Sequence, residues 1–110
     1  MMKKLLERVR MLVRMELKEA RKNNGQFFHS LHEGHSVIWE EMEEAREEVE
    51  TVEETFQELM YFIRVNAPCT VNVGLKRIEE HAISAACEYI QVAAMARKMR
   101  EGNDENSVRS

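Results

Sequence analysis

The sequence predicts an all-α fold, an antiparallel helix bundle of three to four helices, on three observations. Apolar residues recur at steps of three and four along most of the chain. Breaking signals are few, chiefly the run Asn23-Asn24-Gly25 and the single proline, Pro68. Ser30 with Glu33 three residues on forms a capping box, in which the serine hydroxyl accepts from the amide of residue 33 and the Glu33 carboxylate returns to the amide of residue 30.

Residues 2–22 read as the first helix. Leu5, Val9, Leu12 and Met15 or Glu16 step at helical spacing, Val13 and Leu17 widen the stripe, and Asn23-Asn24-Gly25 supplies the stop. Lys3, Lys4, Arg8, Arg10 and Arg14 make this helix locally basic. The connection over 26–29 is short, which makes the next helix an antiparallel neighbour, and Phe27 and Phe28 are expected to pack back on the bundle.

From Ser30 the second helix carries Ile38, Met42, Ala45 and Val49 as one apolar seam. Glu40, Glu41, Glu43, Glu44, Glu47 and Glu48 fill the other faces. The same alternation of four and three continues through Val52, Phe56, Leu59 and Ile63, so periodicity draws one helix to about residue 66. Thr51 with Glu54 repeats the capping-box pattern, so a kink or restart near Glu50 is the alternative to one long helix. The stretch 67–74 reads as the turn, with Thr70 or Asn72 as the next N-cap.

The last helix has a broad apolar face: Leu75, Ile78, Ala82, Ala85, Tyr89, Val92 and Ala96, with Ile83, Cys87, Ile90 and Ala94 beside them. Its many alanines permit close helix approach and a homodimer surface. Residues 1–101 read as one domain, and the polar segment 102–110 as a disordered tail.

Composition narrows the function classes. With 110 residues and 44% hydrophobic content, the chain supports one modest core of the size that self-association often completes. A net charge of -4 and an acidic centre argue against nucleic acid as the main partner. No run of about 18 apolar residues is present to span a membrane, and the opening Met-Met-Lys-Lys-Leu-Leu passes into charged helix, so a cytoplasmic location is expected. Cys69 and Cys87 lack metal or redox spacing and read as free thiols.

The carboxylates hold the chemical interest, because Glu41 and Glu44 flank a seam. Such groups either reach out to water or converge on a divalent cation. The segment S-L-H-E-G-H-S-V-I-W-E-E-M-E-E, from Ser30, taken with E-Y-I-Q-V-A-A-M-A-R-K-M, from Glu88, resembles small phage and prophage proteins of the MazG-like, all-α nucleotide pyrophosphohydrolase superfamily. That resemblance implies E-E-x-x-E on one helix and E-x-x-D on another, holding Mg2+, or Mn2+ in its place, against a nucleoside triphosphate. Glu40, Glu41 and Glu44 match the first motif as catalytic candidates. Glu88 opens the second, while Gln91 stands where the family carries aspartate. The implied metal set is Glu41, Glu44, Glu88 and Gln91, and His32 falls where these proteins carry a histidine, a substrate-side candidate. His29, His32 and His35 lack further ligands for a zinc site, and no Glu-x-x-His pair supports a di-iron bundle.

A turn centred within 67–74 places Glu88 opposite a residue near Glu53, about nine positions from Glu44. At about 1.5 Å per residue that is an offset of about 13 Å, too long for shared coordination unless the second helix breaks or a dimer partner completes the site. Two readings follow: a magnesium-dependent pyrophosphohydrolase, or a non-catalytic, phage-derived helical interaction and dimerisation module.

Overall fold

The computed structural model describes residues 2–109, with side chains described for residues 2–105. Among the described residues there are three helices and no strand: α1 (Met2–Asn24), α2 (Leu31–Arg64) and α3 (Pro68–Arg109). α1 ends in a left-handed cap at Gly25, φ 94°, whose amide donates to the Arg21 carbonyl at 3.0 Å.

α2 starts at the Ser30 cap, where the Glu33 amide donates to Ser30 Oγ at 3.1 Å. The return arm differs from the expected box. Glu33 Oε1 accepts from the His29 amide at 3.1 Å, and Oε2 lies 3.0 Å from His29 Nδ1, so the carboxylate satisfies the residue before the cap. α2 then runs unbroken to Arg64, and Thr51 caps nothing: its hydroxyl donates to the Glu47 carbonyl one turn back at 3.1 Å. The restart expected as an alternative near Glu50 is therefore absent.

The α2–α3 turn is shorter than the sequence reading placed it. Asn66 adopts φ 53°, the Asn66 amide donates to the Ile63 carbonyl at 3.1 Å, and the Ala67 amide donates to the Phe62 carbonyl at 2.9 Å. This is a Schellman stop with asparagine in the left-handed position. The Val71 amide already donates to the Ala67 carbonyl at 3.0 Å, so Ala67 caps α3 and Pro68 occupies its first turn, where a missing N–H costs nothing. Thr70 and Asn72 lie inside the helix, as does Gly74, where an added Cβ would stand 2.7 Å from Leu59 Cδ2. At the far end α3 continues past Glu101, where the sequence places the tail, to Arg109.

The packing divides into two compact units, Met1–Met42 with Tyr89–Ser110, and Glu43–Glu88. In the first, Leu17, Ala94 and Met95 form the core, with Val13, Ala20, Phe28, Val37 and Ile38 packed against them. Buried Gly34 admits Met99 and Phe28, whose nearest atoms would lie 2.9 and 3.0 Å from an added Cβ. On α1 the buried face centres on Leu17, whereas Leu5, Leu12 and Met15 of the expected stripe are exposed.

The second unit is an antiparallel helix hairpin around Ala45, Thr55, Leu59 and Ala85. Two helices bury one seam each and leave their other faces open, and Phe56, Ile63, Val73 and Ile83 are exposed there.

Candidate functional site

On α2 the residues turned inward step through Ile38, Glu41, Ala45, Glu48, Val52, Thr55, Leu59 and Phe62, all buried or half-buried. This seam shares every second member with the expected one. At the alternate members it replaces Met42, Val49, Phe56 and Ile63 by Glu41, Glu48, Thr55 and Phe62, and all of the replaced residues except half-buried Val49 are exposed. α3 presents a matching inner line, Gly74, Ile78, His81, Ala85, Glu88, Val92 and Met95. Carboxylates thus occupy inner positions on both helices, beside the small buried residues Ala45 and Ala85, which let the backbones approach closely.

The turn sets which of these residues meet. In an antiparallel hairpin centred on residue 66, positions equidistant from the turn face one another, and Glu44 and Glu88 each lie about 22 residues from Asn66. Glu41 precedes Glu44 by one helical turn on the same unbroken helix. One carboxylate oxygen from each of Glu41, Glu44 and Glu88 lies within 4.8 Å of the others. The offset of about 13 Å anticipated from the sequence does not exist, because it came from placing the turn four to five residues too late. Glu41 and Glu88 are half-buried, and Glu44 is exposed.

The donor set is all carboxylate oxygen, which suits a hard divalent cation rather than zinc or copper. Oxygens on one magnesium at about 2.1 Å stand about 3.0 Å apart when adjacent and about 4.2 Å when opposite, so a group of this span needs each side chain to move by about an ångström to coordinate together.

Of the remaining candidates, Gln91 lies one turn beyond Glu88 on α3, while Glu40 and His32 are exposed on α2. Glu40 is exposed, about 100° around α2 from Glu41. Gln91 is half-buried, and its Nε2 donates to Glu16 Oε1 of α1 at 3.4 Å. His32 is exposed on the first turn of α2.

One inner pair had no counterpart in the sequence reading: His81 Nδ1 lies 2.6 Å from Glu48 Oε2, both part-buried in the hairpin unit. Glu48 is one helical turn beyond Glu44 on α2, and His81 is two turns before Glu88 on α3. The pair's signal was available only with the turn correctly centred.

The first unit carries its own electrostatics. Arg21 Nη2 donates to Glu101 Oε1 at 2.8 Å, and this hydrogen bond holds the Glu101 carboxyl below its ordinary value. Lys98 is buried with Nζ 4.4 Å from the Phe28 ring centroid, and burial pulls its ammonium below the usual lysine range. No helix among the described residues is long and apolar enough to cross a membrane. Comparison of the chain with protein-family models, with curated proteins and with solved structures returned no match.

Proposed function

We propose that this chain is a MazG-like, magnesium-dependent nucleoside triphosphate pyrophosphohydrolase. The observation that supports the reading is the convergence of Glu41, Glu44 and Glu88, two of them in the first acidic motif and one opening the second. These three carboxylates would hold the cation. When bound, it would polarise phosphoryl oxygens and assist the attack of water on phosphorus. Water adds to the phosphorus of the nucleoside monophosphate half, the anhydride bond to the next phosphoryl group breaks, and the products are a nucleoside monophosphate and pyrophosphate. Exposed Glu44 is the member open to solvent and suited to take the proton released by the water, with Glu40 on the adjacent outer face. Gln91 adds a neutral amide where the family carries aspartate, which weakens the hold on magnesium compared with a fourth carboxylate.

The test is thermal unfolding in EDTA and then in millimolar magnesium or manganese. A ligand that binds only the folded state stabilises by about 2.7 kcal/mol at a hundredfold excess over Kd. For a domain of this size that is on the order of ten degrees in Tm. We expect that shift in the parent protein, its loss in Glu44→Gln and Glu88→Gln, and pyrophosphate release from nucleoside triphosphates that depends on the same residues. No shift with either metal, or an unchanged shift in both variants, overturns the reading.

A second reading, a non-catalytic, phage-derived interaction module that pairs with its own copy, draws on a different observation. In the hairpin unit α2 leaves Phe56 and Ile63 exposed one heptad apart, with Val49 half-buried one heptad earlier. A two-helix layer with such a ridge is half of a four-helix bundle, and a second copy would complete it.

A further inference from the structure

The first unit contains a basic recess distinct from the carboxylate cluster. Arg14, Leu17, Lys18, Arg21, Gln26 and Arg97 line a shallow recess of about 350 Å3 that is open to solvent. That is within the usual size of small-molecule sites, and the wall holds four cationic side chains and no carboxylate.

The sequence concentrates this charge on one face of α1. Arg14, Lys18 and Arg21 follow one another at steps of four and three, and Arg10 continues the row one turn earlier. The neighbours of Lys18 at three and four residues are Arg14, Met15, Arg21 and Lys22, so no carboxylate within the helix offsets it. Like charges at this spacing weaken a helix, and a row of them persists here on an otherwise acidic chain. Neither Arg14 nor Lys18 has an ion-pair or hydrogen-bond partner among the described residues.

The two arginines on the deeper side are held in place. Arg21 donates from Nε to the Gln26 carbonyl at 3.0 Å and from Nη2 to Glu101, while its guanidinium lies 5.8 Å from the Phe27 ring centroid. Glu101 Oε2 also lies 3.5 Å from Arg97 Nε. That approach is close enough for ion pairing but does not make a hydrogen bond, and the buried Arg97 Nε is left without an acceptor.

We propose that this recess binds a small molecule carrying two or more phosphoryl groups, gripped by Arg14, Lys18, Arg21 and Arg97. Guanidinium groups match phosphoryl oxygens in paired hydrogen bonds, and a lysine adds a mobile point charge. A nucleic-acid backbone fits less well: the charge is gathered into a recess rather than laid along a track, and the Phe27 face is already taken by Arg21. The site needs no divalent cation and shares no residue with the Glu41, Glu44 and Glu88 cluster, so it stands whether or not that cluster binds magnesium.

Calorimetric titration of the full chain with inorganic pyrophosphate and tripolyphosphate, in EDTA, tests the proposal. The parent protein should bind saturably, and Arg14→Gln/Lys18→Gln should weaken binding about tenfold or more. Both residues are exposed, and removing their repulsion should leave the unliganded Tm equal or higher. Lys3→Gln/Lys4→Gln takes the same charge from the same helix outside the recess and should change affinity less than about threefold. Absence of saturable binding by the parent, or an equal loss in both double variants, overturns the proposal. So does tighter binding of a single-stranded oligonucleotide that depends on Lys3 and Lys4, since α1 would then be a nucleic-acid track.

Discussion

Lys98 shows how a single side chain can be tolerated and still costly. It is 2% exposed, and its ammonium rests over the Phe28 ring. Burial lowers its pKa; the Glu33 charge opposes that shift, and Arg21 reinforces it. Between the lowered folded value and the ordinary 10.5, the unfolded chain therefore holds more protons than the folded one, and stability rises with pH across that window. At neutral pH, Lys98→Met removes the burial cost and also a cation–π contact worth about 0.5 to 2 kcal/mol, so the net change should stay within about 1 kcal/mol. Denaturant unfolding at pH 7 and pH 10 should show the parent gaining on the variant at the higher pH. A constant difference would mean that the ammonium is not penalised by burial. At this scale the sequence was partly legible. The pairing of Ser30 with Glu33 could be read from spacing, but the choice of the His29 amide over that of Ser30 depends on how the chain enters the helix.

The turn between α2 and α3 is the element on which the candidate site depends. Asn66 occupies a left-handed conformation that costs most residues about 1 to 2 kcal/mol and glycine almost nothing. Asn66→Gly should therefore fold with unchanged or slightly higher stability, and Asn66→Val should lose about 1 to 2 kcal/mol, both measured by denaturant unfolding. An equal loss in the two would mean that the asparagine side chain, rather than its backbone, holds the turn. The helical class and the approximate course of α1 and α2 were legible because apolar periodicity and caps are local signals. The phase of the seam was not. Ile38, Ala45, Val52 and Leu59 fit both the expected and the observed seam, and contact with α3 decides whether Glu41 or Met42 turns inward. Likewise Pro68 reads equally as the interior of a loop or the first turn of a helix, and that ambiguity of a few residues becomes a doubled error in which residue faces Glu88.

For the whole molecule, the hairpin unit sets the expectation for assembly. Phe56 is 68% exposed and Ile63 56% exposed on a ridge that a lone two-helix layer leaves uncovered. Sedimentation at micromolar concentration should give a dimer, and Phe56→Glu/Ile63→Glu should shift it to monomer with helix content retained. A parent protein that stays monomeric at tens of micromolar removes the interaction-module reading. The Glu48–His81 contact bears on a different choice, that of pairing partner. Sliding α3 by one heptad would set Gly74 or Glu88 opposite Glu48, leaving its carboxylate either to water or against another carboxylate, so the histidine favours the observed alignment over slipped ones. It discriminates between registers but not between chains. If the short turn at Asn66 straightened into helix, α3 of one copy could meet α2 of another in the same register with the same bond intact, but Pro68 would then stand in a helix interior without an N–H to donate, so hairpin exchange between molecules is restrained by the turn and by that proline together.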